Sequence, residues 1–115
     1  MKVFLLCFAV AAMPLANTAS AADSGSITII SPKDGAVLGG GGNKLKYDVH
    51  LSPNGNHLHI YIDNQDPIIS KNVSNCPCSI GLPALAAGKH VIAVKEATAA
   101  HALTGVQSTV TVNVK

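Results

Sequence analysis

Lys44-Leu45-Lys46-Tyr47-Asp48-Val49-His50-Leu51 alternates with a period of two, and after Ser52-Pro53-Asn54-Gly55-Asn56 the alternation resumes in His57-Leu58-His59-Ile60-Tyr61-Ile62-Asp63. Successive side chains of a strand point to opposite faces, so Leu45, Tyr47, Val49 and Leu51 share one side while Lys46, Asp48 and His50 share the other. The Pro-Asn-Gly core of the connector is turn chemistry, and no helical period runs through either stretch. These two segments therefore predict strands with one buried face each.

Working outward, the same reading predicts further strands at Ser26 to Ser31, near Pro67 to Ser70, near Ser79 to Leu82, at Lys89 to Glu96 and at Gln107 to Lys115. In the last of these, Val110, Val112 and Val114 alternate with Thr109, Thr111 and Asn113. Turns are expected at Pro32-Lys33-Asp34-Gly35 and Ala86-Ala87-Gly88, and Gly39 to Gly42 reads as a loop without either phosphate-cradle pattern. The prediction is an all-β domain, a small immunoglobulin-like antiparallel sandwich of about seven strands.

At the N-terminus Lys2 precedes the apolar run Val3 to Met13, followed by Pro14 and the small residues Ala19-Ser20-Ala21-Ala22. This is the pattern of a cleaved signal peptide over residues 1–21, and the run is too short to span a bilayer. The mature domain is expected over residues 22–115, exported to the periplasm or secreted, with no stable membrane insertion once the signal is removed. The chain has 115 residues with a formal charge of +2 and no Arg, which excludes a two-domain cofactor enzyme and argues against nucleic-acid partners. No nucleophile elbow, His-Glu-x-x-His helix or paired-carboxylate signature is present among its six acidic residues, so an enzyme is not expected.

The chemistry on offer is five histidines and, in the mature chain, two cysteines. His57 and His59 lie two apart on a strand and so present two imidazoles to one side, where they suit copper or zinc. A third ligand depends on topology. A direct hairpin of the two central strands would add His50, whereas an immunoglobulin-type sandwich puts those strands in opposite sheets and makes His90 or His101 the better partner. His90, in phase with Ile92 and Val94, also reads as a partly buried structural histidine, and polar residues on a solvated sheet face need no ligand at all. Cys76 and Cys78 flank Pro77, and in an exported setting form a local disulfide, a soft-metal pair or a redox pair.

The stretches His57 to Asp63, Leu82-Pro83-Ala84-Leu85-Ala86-Ala87-Gly88-Lys89-His90 and Ala99-Ala100-His101, with the final valine-alternating strand, resemble an uncharacterised family of small exported bacterial immunoglobulin-like domains. No activity follows from that resemblance. A second likeness is to periplasmic copper-resistance β-barrels of the CopC type, carried by Leu82 to Gly88, Lys89 to Lys95 and His101-Ala102-Leu103-Thr104-Gly105. It implies His101 as a loop ligand. The chain departs from that pattern at the mature N-terminus, which offers Ala22 or Asp23 where the family has a His, and at Thr98-Ala99-Ala100, where it lacks the Asp. The expected function is a non-catalytic exported sandwich binding copper or zinc through His57, His59, His101 and His90. The competing expectation is a structural or interaction module that docks on an envelope protein and takes no metal.

Overall fold

The computed structural model describes residues 25–115. The expected signal segment, residues 1–21, lies outside the described residues. Eight strands follow in order: β1 (Ser26–Ser31), β2 (Val37–Leu38), β3 (Lys44–His50), β4 (His57–Ile62), β5 (Ile68–Ser70), β6 (Cys78–Gly81), β7 (Gly88–Ala97) and β8 (Leu103–Val114). They form two sheets, one ordered β1-β3-β6 and one ordered β2-β8-β7-β4-β5. The result is the immunoglobulin-like β-sandwich, antiparallel except where β2 runs alongside the end of β8. Among the described residues no helix is long and apolar enough to cross a membrane.

The alternation of the sequence is the alternation of the sandwich. Leu45, Tyr47 and Val49 of β3 face Leu58, Ile60 and Ile62 of β4 across the core, joined by Ile92, Val94, Val110 and Val112. With so few aromatics, burial of these aliphatic side chains, each worth about 1.5–3 kcal/mol, is the main force holding the sheets together. Tyr47 is the exception in chemistry. It is fully buried, and its hydroxyl is satisfied by Ser70 Oγ at 2.9 Å and the Asn72 carbonyl at 2.7 Å.

Most strand ends fall within one residue of the sequence expectation, and two features depart further. β2 is an additional two-residue strand, too short to leave a periodic signal. It exists because the Pro32 to Gly35 turn clips the sheet edge, where Gly35 N–H donates to Thr111 O and Asp34 Oδ1 accepts from Thr111 N–H. β8 begins at Leu103, four residues before the expected Gln107, since residues flanking Gly105 pair with the end of β7 across a register shift.

The topology fixes what can meet what. β3 and β4 lie in opposite sheets, so the Ser52–Asn56 connector crosses the end of the sandwich. β4 sits between β5 and β7, with His57 opposite Ala97 and Ile62 opposite Ile92. The β7–β8 loop, residues 98–102, therefore emerges directly beside the start of β4.

Candidate metal centre

His57, His59 and Tyr61 project from the side of β4 opposite the core. Such a face is ordinarily wet, yet His57 is 1% and His59 6% exposed. The cover is the β7–β8 loop. In it His101 adopts φ 70°, a left-handed conformation that histidine tolerates better than most residues, and its N–H donates to Thr98 O at 2.8 Å. Thr98 closes the turn further, since its N–H donates to Ala102 O and its Oγ1 accepts from Ala102 N–H. This turn brings His101 over the two strand histidines.

Three ring nitrogens converge there: His57 Nε2 and His59 Nε2 are 3.0 Å apart, and each is 3.2 Å from His101 Nδ1. Hydrogen bonds among the three rings cannot satisfy such a triangle. One proton inside it leaves two lone pairs opposed, and two protons face each other. A cation at the centre satisfies all three at once. A triangle of that size has its centre roughly 1.8 Å from each nitrogen, a few tenths short of the about 2.0–2.1 Å of a zinc–imidazole bond, which small side-chain shifts supply. No Asp, Glu or Cys joins the group among the described residues.

The outward ring atoms support the same arrangement. His57 Nδ1 is 2.9 Å from Asn56 Oδ1, so its proton sits on that side and leaves the Nε2 lone pair inward. His59 Nδ1 lies 3.3 Å from the Tyr61 hydroxyl, which orients the second ring likewise. Outer partners of this kind fix the tautomer and aim of ligating histidines. Burial pushes the pKa of both His57 and His59 below 6.5, with the neighbouring His101 adding to the effect, so both rings are neutral at pH 7.

Of the remaining histidines, neither joins the group. His50 is exposed at the end of β3 in the other sheet, opposite Ser26. His90, expected as an alternative ligand, sits at the far end of β7 from Ala97 and is bound up locally. Its Nδ1 contacts the Asp63 carboxylate and its Nε2 lies 2.6 Å from Ala86 O. Both ring nitrogens thus face acceptors, the requirement of an imidazolium. The Ala86 carbonyl and then Asp63 raise the His90 pKa above 6.5, while the Val91 N–H and His90 outweigh desolvation and hold Asp63 below 3.8. The His90 share of stability is accordingly full below pH 6.5 and lost as pH rises through its raised value. The Asp63 share is present above 3.8 and lost as pH falls through its lowered value. The His90 ring signals are expected to titrate above 6.5 by NMR and to move back toward 6.5 in Asp63→Asn; an unshifted midpoint in that variant would refute the pairing.

Cys76 and Cys78 are joined in a disulfide, which removes them as thiolate ligands. They lie at the start of β6, in the sheet that does not carry the histidine pair.

Below the centre, on the core side of β7, lies a carboxylate that sequence reading does not single out. Glu96 is fully buried. It accepts from Ser52 N–H at 2.8 Å, from Ser52 Oγ and from Thr104 Oγ1 at 2.6 Å. Burial pushes its pKa up, but these bonds from Ser52 and Thr104 outweigh that and hold it below 4.5. Gly55 is needed beside it, because a Cβ there would collide with the carboxylate. Glu96 thereby clamps the connector that delivers Asn56 and His57 to the strand that follows the His101 loop. The available signal was its phase: Ile92, Val94 and Glu96 share one side of β7.

No family model matches this chain, and no curated protein matches it. Among solved structures the chain is similar to the fibronectin(III)-like modules of Clostridium thermocellum CbhA, with a TM-score of 0.61 and 21% identity over 77% of this chain and 96% of that one. At that identity the likeness concerns the fold, a two-sheet sandwich of the immunoglobulin-like kind.

Proposed function

We propose that the domain is an exported, non-catalytic module that binds a transition-metal ion, copper or zinc, through His57, His59 and His101, for handling or sequestration. The observation that carries this reading is the convergence of three imidazole nitrogens at 3.0–3.2 Å, with Asn56 and Tyr61 on the outward ring atoms of two of them. A ligand set of three imidazoles suits either metal, and the sandwich fold supports a binding module in place of an enzyme. Export rests on the N-terminal pattern of the sequence.

Titration of the purified chain with copper and with zinc tests the reading. The ring signals of His57, His59 and His101 are expected to shift together, while those of His50 and His90 stay in place. A metal that binds only the folded state adds about 2.7 kcal/mol of stability at a free concentration one hundred times its Kd. Ring signals that stay put up to millimolar metal, with no gain in thermal stability, would overturn it.

One feature favours the competing interaction module. Between Leu103 and Val110 the outer edge of β8 is hydrogen-bonded to no strand among the described residues, although β1 of the other sheet packs near its start, and it carries no charged residue of the kind that blunts a sheet edge. A stoichiometric envelope partner captured on this edge, and retained in the presence of chelator, would support that reading over the metal.

A further inference from the structure

The three converging nitrogens belong to neutral ligands. Among the described residues no carboxylate or thiolate joins the group, so a bound ion keeps its whole charge. What flanks the site is cationic. His59 lies directly opposite Lys95 of β7, and continuing the β4–β5 register one step past the Leu58–Ser70 pair puts Lys71 opposite His57. Cross-strand partners share a face of the sheet and stand about 5 Å apart, so both lysines rise on the same side as the two rings. Lys95 Nζ lies 5.2 Å from the centroid of the Tyr61 ring, whose hydroxyl meets His59 Nδ1. Glu96, next to Lys95 in β7, projects to the core face and is occupied by Ser52 and Thr104.

Coulomb repulsion is linear in the charge of the ion, so each lysine opposes a divalent ion twice as strongly as a monovalent one. Coordination number points the same way. Copper(I) is stable with three ligands in a trigonal plane, the number that the described residues supply, whereas zinc on three imidazoles must add a water to complete its tetrahedron. We propose that the site selects monovalent copper over divalent ions, with Lys71 and Lys95 as the residues that set the selectivity through their charge. The inference rests on the metal-binding reading and specifies its ion.

The test is a pair of competition titrations on the full chain: copper(I) under anaerobic ascorbate against bicinchoninate, and zinc against a chromophoric chelator. Ascorbate is used because a thiol reductant would open the Cys76–Cys78 disulfide and create new soft ligands. Copper(I) is expected to bind at least about 100-fold more tightly than zinc. Lys71→Met and Lys95→Met, both surface changes, are each expected to raise zinc affinity roughly 10-fold and copper(I) affinity roughly 3-fold, the zinc factor being the square of the copper factor. Lys33→Met, on the Pro32 to Gly35 turn, should move neither. Zinc bound as tightly as copper(I), or lysine variants that shift both ions by the same factor, would overturn the selectivity and leave metal binding intact. Failure of the parent chain to bind either ion would overturn both.

Discussion

A His57→Ala/His59→Ala variant is expected to lose copper and zinc affinity by well over 100-fold while keeping its fold. The size follows from comparison with milder damage. Removing only the outer hydrogen-bond partner of a ligating histidine costs about 10- to 100-fold, and this variant removes two of the three donors outright. The fold survives because the two rings project away from the core, which Leu58, Ile60 and Ile62 fill from the same strand. Neutral imidazoles held below their ordinary pKa by burial add no charge pairing whose loss would unfold the domain. His101→Ala should weaken binding by a smaller factor, since the strand pair remains. His90→Ala and His50→Ala should leave affinity unchanged within about 2-fold, because their rings are engaged elsewhere or lie in the other sheet. Isothermal titration of the five proteins decides the matter, and a double variant that retains parental affinity would place any metal outside this centre.

How much of this centre was legible in the sequence depends on the range of the interaction. The period of two in His57 to Ile62 is local, and it correctly puts His57 and His59 on one face and the apolar residues on the other. The separation of His50 follows from the sandwich topology. The choice between His90 and His101 requires the register of β7 against β4. His57 stands opposite Ala97, so over a strand of this length His90 is carried some 20 Å from the pair while the following loop is delivered to it. Burial of the pair was not legible. Alternation alone assigns that face to solvent, and only the left-handed turn at His101 folds a cover onto it. Asn56 and Tyr61 were equally hidden as partners, although both adjoin the stripe in sequence, because ordinary turn and strand residues carry no mark of what their polar atoms meet. β2 escaped for a simpler reason: two residues hold no periodicity.

Glu96 is the residue whose loss is expected to cost the fold most. Glu96→Ala should destabilise the domain by about 3 kcal/mol or more, since three donors on Ser52 and Thr104 lose their acceptor at a buried position, each at roughly 1 kcal/mol or above. Glu96→Gln keeps the shape and one acceptor oxygen and should cost about half as much. The pH dependence separates charge from shape. Because the folded carboxyl lies below its unfolded value of 4.5, its contribution is fully present above that pH and is lost as pH falls through the lowered folded value. Glu96→Gln should therefore narrow its deficit relative to the parent as the solution is acidified, and a deficit constant from pH 7 to pH 3 would mean that the carboxylate charge contributes nothing. The same clamp reaches the metal centre. Ser52 opens the connector that ends in Asn56 and His57, and Thr104 lies three residues beyond His101, so loosening both segments should spread the three nitrogens. Val110→Ala truncates the core at the middle of β7, where Val110 pairs with Ile92, and should cost about 2 kcal/mol without touching either segment. At matched stability, Glu96→Gln should weaken metal binding by about 10-fold and Val110→Ala should not. Equal affinities in the two variants would show that Glu96 supports the sandwich alone and that the centre is positioned by the β7–β8 turn without it.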